Sequence, residues 1–159
     1  ILATGFDAVT GSMMHMDIEG LNGVKLADKW RDGPTTYLGA MVAGFPNLFM
    51  IHGPMTPAAQ AQMITTGEWM VNWVADIIDG MERDGCTRID TTEEAEQGWA
   101  QEVDDRSQET LHRLADSWYN AKNIEGKKGG FMIYVGGFPR FAQLSNEAVA
   151  DGYRGFVRQ

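Results

Sequence analysis

Three histidines, one cysteine and a run of carboxylates carry most of the reactive chemistry in this 159-residue chain. His15, His52 and His112 stand far apart and show neither an HxxxH nor a carboxylate spacing, so the sequence offers no zinc site. Cys86 is the single cysteine, which excludes an intrachain disulfide. It follows Gly85 at an expected helix end, where the negative end of the dipole does not activate a thiol, and it reads as a structural or exposed group rather than a nucleophile. There is no GxSxG elbow to present a hydrolase serine, and neither GxGxxG nor GxxxxGK[ST] to cradle a phosphate. Glu93, Glu94, Glu96, Glu102, Asp104 and Asp105 read as the solvated face of a helix, because hard cations need oxygens that converge from a loop.

The elements that would position any site are organised around Phe45 to Pro57. Leu48 to Ile51 reads as a strand, Gly53-Pro54 as a turn, and Thr56-Pro57 as the cap and first residue of a helix. Such strand-to-helix joints are where α/β folds hold ligands. The helix carries an apolar stripe at Trp69, Met70, Trp73, Val74, Ile77, Ile78 and Met81 and should stop at Gly85. Thr91 and Glu94 suggest a capping box for a second helix running toward Ala115, with Ala95, Trp99, Val103, Leu111 and Leu114 on one side. Ile1 to Thr4 and Phe131 to Val135 read as further strands, Asn22-Gly23 as a hairpin turn, and Trp30 to Gly39 as loop. A last helix from about Pro139 has Phe141, Leu144, Ala148 and Val149 inward and ends at Gly152. Met13, Met14 and Met16 either line a pliable pocket or fill the core.

Thirteen basic against twenty-two acidic side chains give a net charge of −9, which disfavours nucleic acid or an anionic membrane as partner. The profile is that of one globular domain, with the cytoplasm as the expected compartment. The chain opens without Met inside an apparent strand, and about three further strand-like stretches are few for a doubly wound sheet. The expectation is therefore the C-terminal part of something longer.

An ordered set of motifs spans the chain. Ile1-Leu2-Ala3-Thr4-Gly5-Phe6-Asp7-Ala8 is followed by Thr35-Thr36-Tyr37-Leu38-Gly39, Gly44-Phe45-Pro46-Asn47-Leu48-Phe49 and Gly53-Pro54. Then come Ser117-Trp118-Tyr119, Gly126-Lys127, Tyr134-Val135-Gly136-Gly137-Phe138 and Gly152-Tyr153-Arg154-Gly155-Phe156. Together they resemble the C-terminal portion of the Baeyer–Villiger monooxygenases.

The resemblance implies an α/β fold: the C-terminal part of a two-dinucleotide-binding-domain flavoprotein, Rossmann-like, with a mostly helical appendage. Residues 1–85 would finish the FAD-binding domain and 86–159 would form an extension covering the cofactor site. It implies an enzyme using FAD and NADPH, in which a flavin C4a-peroxide inserts one oxygen of O2 beside a ketone carbonyl to give an ester or lactone. The ketone, O2 and the upstream part of the same enzyme would be its partners, and the catalytic arginine would lie upstream. By position, Thr4, Gly5, Phe6, Asp7, Gly53, Met63 and Trp118 fall to the cofactors, Trp118 on a loop that folds over NADP. His52, Ala58, Ala59 and Gln60 fall to the substrate pocket. Each has a plainer reading: helix packing for Met63, packing at a helix end for Trp118, a satisfied structural group for His52. Lys122, Lys127 and Lys128 either assist NADP or form a solvated loop. The alternative for the chain as a whole is a non-catalytic interaction or dimerisation module derived from a flavoprotein, since no complete phosphate site lies within it.

Overall fold

Glycine, proline and asparagine punctuate the first third of the chain so densely that it folds as a succession of turns. The computed structural model describes residues 6–57, 61–122, 124 and 126–159, so the expected strand Ile1 to Thr4 lies outside the described residues. The early elements are short: α1 (Gly11–Met14), a 3-10 turn (Leu21–Gly23) and α2 (Leu26–Lys29). Asn22 and Gly23 adopt φ of 59° and 77° between the antiparallel bridge partners Glu19 and Lys25, which is the expected hairpin at its shortest. A second turn of this kind, at Leu38 and Gly39, joins the bridge partners Tyr37 and Met41. Trp30 to Gly39 is thus loop, as expected, but Trp30, Thr36 and Leu38 are buried in it.

Leu48 to Ile51 does not form the expected strand. Asn47 and His52, on either side, both sit at φ 58°, which bends the segment out of a straight ladder. What it keeps is single bonds, such as the Met50 amide to the Ala40 carbonyl at 2.8 Å.

The long helix α3 spans Met63–Asp84, and its described start is later than the sequence suggests. Thr56 does not cap it. The Thr56 hydroxyl donates to the Gly53 carbonyl at 2.8 Å, and its backbone forms a parallel bridge with Ile133. The apolar stripe is buried at Met70, Trp73, Val74, Ile77 and Met81, whereas Ile78 faces outward. Gly85 ends the helix at φ 69°, with the Cys86 amide on the Met81 carbonyl at 2.8 Å.

A two-stranded antiparallel sheet pairs β1 (Ile89–Thr91) with β2 (Phe156–Arg158), Asp90 opposite Val157. α4 covers Glu93–Gln108 and is capped by Thr92, whose hydroxyl accepts the Ala95 amide at 3.1 Å. The expected cap, Thr91, lies in β1 and donates its hydroxyl to the Gly155 carbonyl. Ala95, Trp99 and Val103 turn inward as expected. Leu111 and Leu114 do not: they fall in a separate 3-10 turn (Leu111–Leu114) and are 82% and 78% exposed. α5 (Phe138–Ala150) matches expectation, with Pro139 in its first turn and Phe141 and Ala148 buried. Phe131 to Tyr134 is buried, but its only strand-like pairing among the described residues is the Ile133–Thr56 bridge.

The main core runs across these elements. Trp69 stacks on Trp73, Trp99 stacks on Tyr134, and Phe141 meets Trp69, Trp99 and Tyr134 at ring centroids about 6 Å apart. A smaller cluster of Leu26, Trp30, Val42, Phe45 and Met50 lies under the early turns. No described helix is long and apolar enough to cross a membrane.

Candidate functional site

The Gly53-Pro54 turn is fastened from three directions. Thr36, fully buried, donates its hydroxyl to the Pro54 carbonyl at 2.8 Å, and Thr56 does the same for Gly53. The Met55 amide donates to the Met132 carbonyl at 2.7 Å, and the Met55 carbonyl accepts the Trp99 indole N–H at 3.2 Å. Two glycines make this density possible: a side chain on Gly39 would run into Thr56 Cγ2, and one on Gly53 into the Gly39 carbonyl. The backbone carries strain, since Leu38, His52 and Met55 all have positive φ, a conformation that L side chains rarely adopt.

His52 and Met63 meet beside this turn. The His52 Nε2 lies 2.7 Å from the Met63 carbonyl at the start of α3. That helix end has no acidic residue in its first turn and no side-chain cap from Gln62, so among the described residues no side chain is shown compensating its positive end. Ile51, Met63 and Ile64 are exposed around it, an apolar rim on a helix N-terminus. Such an arrangement suits a flat ring system with a polar, electron-accepting edge. Gly53 is buried and has a packing reason of its own in the Gly39 contact. Ala58, Ala59 and Gln60 lie outside the described residues, as do Thr4 and Gly5.

A second group forms around the other expected residues. Asp7 is ion-paired with Lys127, whose Nζ also reaches the Ala8 carbonyl at 3.4 Å. Lys127 belongs to the loop that carries Trp118, and the next residue, Lys128, pairs with Asp32 at 2.8 Å. Trp118 is half-buried in the short 3-10 turn Trp118–Asn120, its ring edge-on to Tyr119 with centroids 4.3 Å apart. Phe6 is largely exposed. The two groups are joined through backbone: Met132 donates to the Tyr119 carbonyl and accepts from the Met55 amide, while the Tyr134 amide donates to the Thr56 carbonyl.

Two features escaped the sequence reading. Glu96 is not part of a solvated face. It is 2% exposed and accepts from Lys29 Nζ at 2.9 Å, from the Ala43 amide at 3.0 Å and from the Thr35 hydroxyl. It ties α4 to the loop that leads into the Leu38-Gly39 turn. Its signal was available: it sits three residues before Trp99 and seven before Val103, on the inward stripe. The second is Tyr134. Burial first, and then the Glu102 carboxylate that accepts its hydroxyl at 3.3 Å, push its pKa up from 10.0 to about 12.

No family model matches the chain. It is 38% identical to a Baeyer-Villiger monooxygenase of Pseudooceanicola batsensis over 158 residues, 99% of this chain and 29% of that protein. The crystal structure of cyclohexanone monooxygenase from Rhodococcus sp. Phi1 bound to NADP+ matches with a TM-score of 0.95 and 39% identity, across 99% of this chain and 29% of that one. A crystal structure of OTEMO in complex with FAD and NADP matches with a TM-score of 0.90 and 34% identity, across 99% and 29%. The chain spans less than a third of the length of the relatives it matches. In sequence and in fold it is related along its whole length to the Baeyer–Villiger monooxygenases and corresponds to a segment of them.

Proposed function

We propose that this chain is one wall of an FAD- and NADPH-dependent Baeyer–Villiger monooxygenase that inserts one oxygen of O2 beside a ketone carbonyl to give an ester or lactone. The observation that carries the proposal is the match over 99% of the chain, at a TM-score of 0.95, to an NADP+-bound cyclohexanone monooxygenase. FAD, when bound, would supply the redox and oxygen-transfer chemistry; the residues here bind, orient and exclude water. The uncapped first turn of α3 would offer its free N–H groups to the electron-accepting edge of the flavin, with Met63 against the ring. Phe6 and Asp7 would contribute to the cofactor site, as would Thr4 and Gly5, which lie outside the described residues. Gly53 would set the height of the floor. By its position in the resemblance His52 would serve the ketone side of the site, as would Ala58, Ala59 and Gln60, which lie outside the described residues. Trp118 rides on a loop that would close over NADP. Residues 1–85 would serve the FAD side and 86–159 the cover, a division of roles rather than of cores, since Trp73 and Phe141 lie in one cluster.

The test is the absorbance of the purified full-length protein together with its products. Bound oxidised flavin, NADPH consumption and ester or lactone from simple ketones are expected. A flavin-free protein that leaves ketones unchanged would overturn the proposal in favour of an interaction module.

A further inference from the structure

Gly67 sits inside α3, where glycine is a poor helix former. The reason for its presence is visible across the helix surface: a Cβ at this position would lie 2.8 Å from His52 Nε2. The imidazole lies over the first turn of α3 and bonds the Met63 carbonyl at 2.7 Å. A carbonyl only accepts, so Nε2 carries the proton, and in the neutral ring Nδ1 is the acceptor. Nδ1 is buried with no hydrogen-bond partner among the described residues. His52 itself is held at φ 58°, directly before the fastened Gly53-Pro54 turn. One ring nitrogen is therefore engaged and the other enclosed, and neither is presented as a base.

We propose that His52 and Gly67 form a clasp that fixes the first turn of α3 against the Gly53-Pro54 turn, and that His52 is a positioning residue for the cofactor-facing helix end. The cofactor part rests on the functional reading above; the clasp itself does not. A side chain at 67 drives the ring away and costs it the Met63 bond. Without the ring, the same side chain meets no other described residue and improves the helix.

The experiment is a cycle of Gly67→Ala, His52→Ala and the double variant in the full-length protein, with His52→Gln as the conservative control. Thermal midpoint and product formed per NADPH oxidised are measured for each. Gly67→Ala alone should lower the midpoint by about 1–2 °C in a protein of that length and reduce product per NADPH by roughly half or more. On the His52→Ala background it should leave the midpoint unchanged or raise it, since alanine is the better helix former. His52→Gln should recover much of the coupling, because its amide N–H can replace the Nε2 donor. A midpoint change of the same sign and size in both backgrounds overturns the clasp. Sign reversal with equal product per NADPH in all variants overturns the positioning role. A wild-type protein without flavin overturns the functional reading, while the midpoint cycle still decides the clasp.

Discussion

Glu96 shows what a single buried carboxylate costs and does. Taking it out of water is repaid only because three donors surround it: the Lys29 ammonium, the Ala43 amide and the Thr35 hydroxyl. Glu96→Ala leaves the Lys29 side chain, itself 19% exposed, facing a void, and should destabilise the protein by about 3–5 kcal/mol in urea unfolding. Glu96→Gln keeps the shape and one set of acceptors and should cost less than half of that. A loss below about 1 kcal/mol for the alanine variant, the range of an exposed ion pair, would restore the solvated reading. The sequence misled at this residue because six carboxylates between Glu93 and Asp105 look like one surface. Charge runs say nothing about which member falls on the helix's inward stripe; only the spacing from Trp99 and Val103 does.

Elements were legible where their signals are local. Gly85 closes α3, Pro139 opens the first turn of α5 and Asn22-Gly23 makes its turn, because each depends on the φ preference of one or two residues. The Leu48 to Ile51 strand failed because apolar content was read without the positive φ of Asn47 and His52, which only the surrounding packing imposes. The cap of α4 slipped by one residue, since Thr91 and Thr92 are chemically alike and β1, which claims Thr91, is too short to read from sequence. Thr92→Ala should therefore cost about 1 kcal/mol of stability, and Thr92→Asp should recover it by capping and by its charge at the positive helix end. Urea unfolding of both variants measures this. An alanine variant as stable as the wild type would return the cap to Thr91.

Across the whole molecule, several contacts join residues roughly a hundred positions apart, and no short window along the sequence contains them. The Tyr37 hydroxyl donates to the Arg154 carbonyl at 2.9 Å, Lys128 reaches Asp32, and Lys127 pairs with Asp7. The motif order along the chain placed Asp7 and Gly126-Lys127 in one resemblance but gave no reason for them to touch. The pair ties the segment after Thr4-Gly5 directly to the loop that carries Trp118, and Lys127 is the more enclosed partner at 13% exposure. On the proposed reading, that tie holds the NADP-covering loop near the FAD side of the site. Lys127→Met and Asp7→Asn should each weaken NADP binding to the full-length enzyme by roughly 2- to 5-fold, the size of a partly shielded ion pair. The double variant should be no weaker than the worse single one, because the second substitution removes a partner already lost. Titration of NADP followed by the flavin absorbance reads all four proteins. Losses that multiply in the double variant would mean that Asp7 and Lys127 act on the cofactor separately, and that the loop is held by its other contacts, among them the Met132 amide on the Tyr119 carbonyl and the Lys128–Asp32 pair.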